Sequence, residues 1–430
     1  MLAKYGVRGR NRAGCRSEVA FEPIGSMELE RIQKALRDSG IEGWLFYDFH
    51  RRDPIAYRVL GLTTPGMATR RWYYLVPAQG QPVKLVHRIE QGQLDPLPGE
   101  TNVYASWQEH QQLLEKMLMP YHSLAMQYSP LNQIPAISLV DAGTVDLVRS
   151  FGKTVVSSAD LVQQFEARWT PAAFQSHLDA GCLIDKIVPE TFREIGRRVD
   201  LNGQTNEYAI QQFILEQFEK NNLVTNRQRP IVAVNRNSGN PHYETSRDSA
   251  APIRAGDFVL LDVWAKLDKP GAVYYDVTWV GFVGDDPPER IEQIFEIVKA
   301  ARDRAVETVQ AAFREGRKLH GWEVDRAARN VIIENGFGEC FPHRTGHSIG
   351  EEVHGNGANI DDWETRDDRE LIPFTAFSIE PGIYLPEFGV RSEVNVFVEE
   401  HEARITGMIQ DELVRIPPPS RQEQKEKWRA

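Results

Sequence analysis

Strand-forming apolar runs seldom carry an acid at their centre, and this chain does so repeatedly within one stretch. Asp262 lies in Phe258-Val-Leu-Leu-Asp-Val-Trp264 and Asp276 in Val273-Tyr-Tyr-Asp-Val-Thr-Trp279. Glu380 ends Ala376-Phe-Ser-Ile-Glu380, and Glu393 interrupts Val390-Arg-Ser-Glu-Val-Asn-Val-Phe-Val398. A carboxylate in such a setting is tolerated when something compensates its charge. Alternation along a strand puts Asp262 on the face of Phe258, Leu260 and Trp264, so it breaks an apolar face. Arg391, Glu393 and Asn395 share one face of the last run, read as a single strand, and Val390, Val394, Val396 and Val398 the other.

Turn chemistry pairs the acids. Pro270-Gly271 is a good type II turn pair between Asp262 and Asp276, so the two runs form a hairpin. Their even separation allows both acids onto one side, within a residue or two of directly opposite. Pro381-Gly382 and the stretch from Pro386 to Gly389 can bring Glu380 beside Glu393 in the same way. Four clustered carboxylates carry four negative charges, which two divalent cations would neutralise. Without cations, burial would raise several of their pKa values or destabilise the fold. His347, in Thr345-Gly-His-Ser-Ile-Gly350, adds an imidazole to this oxygen-rich set. Such donors suit Mn²⁺, Co²⁺, Fe²⁺ or Zn²⁺, and the sequence does not choose among them. His343, His347 and His354 cluster in a segment that Gly346 and Gly350 punctuate. That rules out the helical His-Glu-x-x-His zinc arrangement and points to a site built on loops.

The rest of the chain frames this site. Its 430 residues suggest two or three domains and allow a large core. The formal net charge of -11 argues against nucleic-acid and anionic-membrane partners. Cys15, Cys182 and Cys340 are too few and too scattered for a disulfide framework, so a reducing, cytoplasmic location is expected. No apolar run is long enough to span a bilayer. Residues 1–25 read as a basic tail without the apolar stretch of a signal peptide, with Met27 an alternative start, and 417–430 as a polar tail. From residue 26 to 168, helix and strand signals alternate, beginning with a helix over Met27–Asp38 and strands near 43–47, 71–76 and 82–86. Thr170-Pro171 is a strong helix start. A long helix follows to about Arg198, bent at Pro189, and a second begins at Thr205. Further helices are expected near 288–313 and 320–335. The domain from 170 to 416 carries all the acids, and the fold class is α+β.

These motifs, taken in order, resemble those of the pita-bread metallopeptidases, the family of creatinase, prolidase and aminopeptidase P. The resemblance rests on Asn240-Pro-His242, Leu261-Asp262, Tyr275-Asp-Val-Thr278, His343-Arg-Thr-Gly-His-Ser-Ile-Gly350 with His354, Ile379-Glu-Pro-Gly382 and Val390-Arg-Ser-Glu393. It covers about 170–415. The preceding α/β domain resembles, less specifically, the smaller creatinase-type N-terminal domain. The resemblance implies an exopeptidase that hydrolyses Xaa-Pro bonds, as a dipeptidase or an aminopeptidase, with two divalent metal ions. It makes Asp262 a terminal ligand of one metal and Asp276 and Glu393 bridges to both, with His347 and Glu380 completing the second. A metal-bridging hydroxide would attack the scissile carbonyl, and Glu380 would assist proton transfer. His242 and His354 would steady the oxyanion and the leaving amine, while His343 and Arg391 would contact the substrate, a peptide with proline at its second position. A homodimer is expected by the same likeness. The chain departs from the family pattern at Trp279, Ser348, Gly355 and Val394-Asn395, none of them an expected metal ligand.

Other classes fit less well. Gly346-His-Ser-Ile-Gly350 matches the Gly-x-Ser-x-Gly nucleophile elbow, which needs a strand before it and a helix after it, and the flanking residues suggest neither. A non-catalytic binding protein on this fold would be expected to have lost ligands, and all five are present. Another hydrolase or a lyase could use the same dinuclear site.

Overall fold

The computed structural model describes residues 29–62, 68–226 and 228–416. Both expected tails lie outside the described residues. The chain divides into two compact units, with the break between Arg168 and Trp169.

The N-terminal unit is built on one mixed sheet. Its strands are β1 (Gly43–Asp48), β2 (Trp72–Pro77), β3 (Val83–His87), β4 (Glu100–Tyr104), β5 (Ser123–Met126) and β6 (Thr154–Ser157), in the spatial order β4-β3-β2-β1-β5-β6. Helices α1 (Leu29–Asp38), α2 (Pro54–Val59), α3 (Trp107–Leu118), α4 (Ala142–Ser150) and α5 (Ala159–Glu166) connect and cover it. Every residue of β1 and β2 is buried, as expected of central strands covered on both faces. The two faces carry separate apolar clusters, one around Trp44, Phe46 and Trp72, the other around Leu45, Tyr73 and Leu75.

The second unit opens with α6 (Pro171–Asn202), whose N-cap Thr170 accepts a hydrogen bond from the Ala173 N–H. The next helix does not begin at Thr205. Thr205 and Asn206 form a short strand, β7, that pairs with β10 (Pro252–Ile253), and Asn206 caps α7 (Glu207–Lys220) by accepting from Ala209 N. The ladder to Ile253 takes Thr205 out of the helix, and Asn206 supplies the cap instead. Strands β8 (Leu223–Val224) and β9 (Ile231–Val234) both pair with β11 (Phe258–Leu267). β11 forms the expected hairpin with β12 (Tyr275–Phe282), and Gly271 takes the left-handed conformation at φ +70° that the turn requires. α6 packs behind this hairpin over Val259, Leu261, Val263 and Val277.

Helices α8 (Glu289–Glu315) and α9 (Gly321–Glu334) pack together and against the remaining strands. These are β13 (Ser348–Ile349), β14 (Ala376–Ile379), β15 (Gly382–Tyr384), β16 (Gly389–Arg391), β17 (Val394–Val398), β18 (Ala403–Thr406) and β19 (Val414–Arg415). The run from Val390 to Val398 is not one strand. It breaks at Ser392-Glu393, opposite a second break at Glu380-Pro381. Proline has no N–H to offer a ladder, and here the Ser392 N–H and the Pro381 carbonyl are 3.4 Å apart. Pairing keeps one register across both breaks, with Ile379 opposite Val394 and Gly382 opposite Arg391. Glu380 and Glu393 therefore occupy facing positions in the interruption.

Candidate metal centre

The two hairpins supply the acids from different directions. In the first, Asp262 lies across from Thr278 and Asp276 across from Trp264. The carboxylates are thus two positions out of register on one face. In the second, Glu380 and Glu393 sit where the ladder is interrupted. The hairpins meet where the Glu393 N–H reaches the Thr278 carbonyl at 3.3 Å. Asn395 locks the junction: its Oδ1 accepts from Asp276 N at 3.2 Å, and its Nδ2 donates to Asp276 O at 2.7 Å. An ionised carboxylate could accept but not donate in this way, so the departure from an acid at position 395 has a structural reason here.

His347 enters from the loop before β13. Gly346 has to be glycine, because a Cβ there would lie 2.0 Å from the Ser378 carbonyl oxygen. The close approach lets the His347 N–H donate to Ser378 Oγ at 3.0 Å. His347 Nδ1 lies 3.2 Å from its neighbour's carbonyl, the Ser348 oxygen, which a protonated Nδ1 would satisfy. That tautomer leaves Nε2 with a lone pair, 3.3 Å from Glu380 Oε1 and 3.6 Å from Asp276 Oδ2.

All of the residues expected at the site line one cavity of about 500 Å³: Asp262, Asp276, His347, Glu380 and Glu393, with His242, His343, His354 and Arg391. Asp276, His347 and Glu393 offer ligand atoms within 4.8 Å of one another. Asp262 is held differently. Arg391 Nη2 hydrogen-bonds its Oδ2, and Arg391 Nε reaches Thr278 Oγ1 at 2.9 Å. Thr278 in turn donates to Glu393 Oε2 at 2.8 Å. Tyr384 joins the group, with its hydroxyl 2.7 Å from His343 Nε2 and 3.2 Å from Arg391 Nη1.

Electrostatics mark the same place. Burial, and then the charges of Asp262 and Glu380, push the Asp276 carboxyl well above the usual range. Burial and then Asp276 do the same to Glu393. Asp262 is raised to about 6 by burial, against the opposing pull of Arg391. His347 is lowered to about 3, chiefly by burial, and His354 to about 3, chiefly by its neighbour His347. The rings of these two lie 4.4 Å apart. Both imidazoles are therefore neutral near pH 7. Asp276 Oδ1 and Glu393 Oε1 are buried with no hydrogen-bond partner. Orphaned carboxylate oxygens facing a neutral imidazole fit a divalent cation and fit little else.

Sequence reasoning passed over Thr278, Tyr384 and Asn395 as working parts of this site, although all three lie in or beside its motifs. It also missed Glu207. This fully buried acid accepts from Val234 N, Asn237 Nδ2, Tyr243 Oη and Ala251 N, and so fixes the loop that leads to His242. An acid in the first turn of a helix is ordinary, and nothing in the sequence marks this one as buried. Trp279, by contrast, faces away from the acids and packs into the cluster beneath α6. Ser348 Oγ accepts from Gly357 N at 3.0 Å inside a loop and is no exposed nucleophile.

Several known proteins are similar to this chain. An Xaa-Pro dipeptidase of Pyrococcus horikoshii is 32% identical over 43% of this chain and 48% of its own length. An Xaa-Pro dipeptidase of Lactobacillus delbrueckii is 28% identical over 46% of this chain and 50% of its own length. The chain thus spans about half the length of these curated relatives. The crystal structure of dipeptidase PepE from Mycobacterium ulcerans superposes with a TM-score of 0.67 at 26% identity, covering 90% of this chain and 97% of that one. A prolidase from Thermococcus sibiricus shares the fold at a TM-score of 0.59 and 23% identity, over 91% and 100% of the two chains. The α+β architecture is that of the pita-bread enzymes with their smaller N-terminal domain. The sequence profile of metallopeptidase family M24 matches residues 179–400, more than half of the chain and all of the acids above, and the chain belongs to that family.

Proposed function

We propose that this chain is a dinuclear-metal-dependent exopeptidase that hydrolyses Xaa-Pro bonds, as an Xaa-Pro dipeptidase or aminopeptidase. The observation that carries the reading is the set of buried acids with orphaned oxygens beside a neutral imidazole at one cavity. In this reading Asp262, Asp276, His347, Glu380 and Glu393 hold two divalent cations, Mn²⁺ first. When bound, such cations polarise the scissile carbonyl and lower the pKa of a water. The other groups belong to the protein. Glu380 takes and returns a proton, steadied by Ser378 Oγ at 3.1 Å. His242 and His354 stand by the developing oxyanion and the leaving amine. His343 and Arg391, joined through Tyr384, orient the peptide. The names of the relatives support proline at the second position of that peptide.

Arg344 bears on the choice between dipeptidase and aminopeptidase. It lines the cavity, and among the described residues no carboxylate lies within ion-pair distance of its guanidinium. An unpaired cation there favours a substrate that ends in a nearby carboxylate, as a dipeptide does. A cytoplasmic homodimer completes the proposal. It is supported by the scattered cysteines and by the family likeness, and no helix among the described residues is long and apolar enough to cross a membrane. The test is hydrolysis by the Mn²⁺-reconstituted chain of Ala-Pro beside Ala-Pro-Ala. Cleavage of the dipeptide alone is the expected result, cleavage of the tripeptide makes it an aminopeptidase, and inertness towards both sinks the peptidase reading.

A further inference from the structure

Behind the site, on α8, lies a cation that the proposed chemistry does not use. The Arg302 side chain is fully buried, and the only carboxylate paired with it among the described residues, Asp303, is half exposed. Arg302 Nε and Nη2 both reach Asp303 Oδ1, at 2.9 and 2.7 Å. The inner nitrogen, Nη1, turns the other way, donating to Ser392 Oγ at 2.8 Å and to the Gln410 carbonyl at 2.7 Å. A buried guanidinium with one partner near solvent contributes little to stability, since desolvation offsets much of the attraction. Its geometry carries more information than its charge.

The two inner contacts lead to the two hairpins. Ser392 is the residue at the break in the second hairpin, between Arg391 and Glu393. Gln410 holds the first hairpin: its Oε1 accepts from Val280 N at 2.9 Å, and its Nε2 donates to Val280 O at 2.6 Å. Val280 lies on the strand of Asp276 and Thr278. One planar group, locked in the core, thus ties the strand that carries Asp276 to the segment that carries Glu393. These two acids hold the orphaned oxygens. Planarity and a fixed fork of donors make arginine suited to such a tie, and lysine less so.

We infer that Arg302 is a positioning residue, which clamps Ser392 and Gln410 so that the Asp276 and Glu393 carboxylates stand at the separation a shared cation needs. The inference rests on the proposed metal site and concerns its stiffness, not its ligands. Outer partners of metal ligands typically change affinity by about 10- to 100-fold when lost.

The test is Mn²⁺ binding to the full chain by titration calorimetry, with the melting temperature followed alongside. Arg302→Met is expected to weaken Mn²⁺ binding by about tenfold or more. Arg302→Lys should recover part of the loss, and Ser392→Ala should weaken binding in the same direction by a smaller factor. Val309→Ala, a buried cavity on the same helix away from the clamp, controls for loss of stability. It should lower the melting temperature and leave the Mn²⁺ affinity as it was. An Arg302→Met affinity within twofold of the unaltered chain overturns the clamp, as does an equal loss in Val309→Ala. Should Arg302→Met fail to fold, unchanged affinity in both Arg302→Lys and Ser392→Ala overturns it instead. If the unaltered chain itself takes up no Mn²⁺, the metal reading falls and the clamp with it.

Discussion

Asp276 shows at the scale of one residue how function and stability pull apart. Its carboxyl is buried, raised in pKa by burial and by Asp262 and Glu380, and left with an unpartnered oxygen. A group in that state destabilises the metal-free fold, and protonation or a bound cation relieves it. Asp276→Asn keeps the shape and removes the charge. In the presence of a chelator, this variant should therefore melt at a higher temperature than the unaltered chain, by a few degrees. With Mn²⁺ added the order should reverse, because the unaltered chain gains stability and the variant gains little. Thermal melts with and without Mn²⁺ check both halves. A variant that is stabilised by Mn²⁺ as much as the unaltered chain would remove Asp276 from the ligand set.

At the scale of the element, α6 carries a buried and a half-buried titratable group whose effects have opposite sign. His177 bridges the Tyr274 carbonyl, at 2.6 Å, and Thr406 Oγ1, at 2.7 Å, and burial lowers its pKa to about 4. The folded chain keeps it neutral where the unfolded chain binds a proton, so its contribution is complete above about pH 6.5 and is lost as pH falls towards 4. Asp185, one helical stretch further on, accepts from Tyr275 Oη at 2.7 Å and from Met408 N at 2.9 Å. Burial raises its pKa to about 6, so its contribution falls as pH rises from about 4 through 6. The His177 term corresponds to roughly 3 kcal/mol over its full window. Urea unfolding at pH 7 and pH 4.5 should show a smaller pH dependence for His177→Gln than for the unaltered chain. Equal slopes would show that His177 titrates alike in both states. The elements themselves show what a sequence can disclose. The hairpin of Asp262 and Asp276 was legible because turn residues and parity are local signals. The break at Ser392-Glu393 was not, since alternation continues across it and Arg302, which reaches it, stands 90 residues away. Thr205 does not open α7 for a similar reason, a strand partner distant in the chain.

For the whole molecule, a cation held as proposed by Asp276, His347 and Glu393 would act on one unit and not on the other. All three ligands lie beyond Trp169, in the second unit, as does every other residue of the cavity. The N-terminal unit has its own two apolar clusters and contributes no ligand to the site proposed here. A ligand that binds only the folded form stabilises it by RT ln(1 + [L]/Kd), about 2.7 kcal/mol at a hundredfold excess over Kd. That gain belongs to the cooperative unit that contains the site. Scanning calorimetry should accordingly resolve two transitions, of which Mn²⁺ raises one and leaves the other in place. Asp276→Asn, which removes a ligand, should abolish the shift without moving the second transition. Limited proteolysis during the melt assigns the transitions, because protection by Mn²⁺ should be confined to fragments from residues after 168. A shift of both transitions together would mean that the two units melt as one, and the gain would then be shared across the chain.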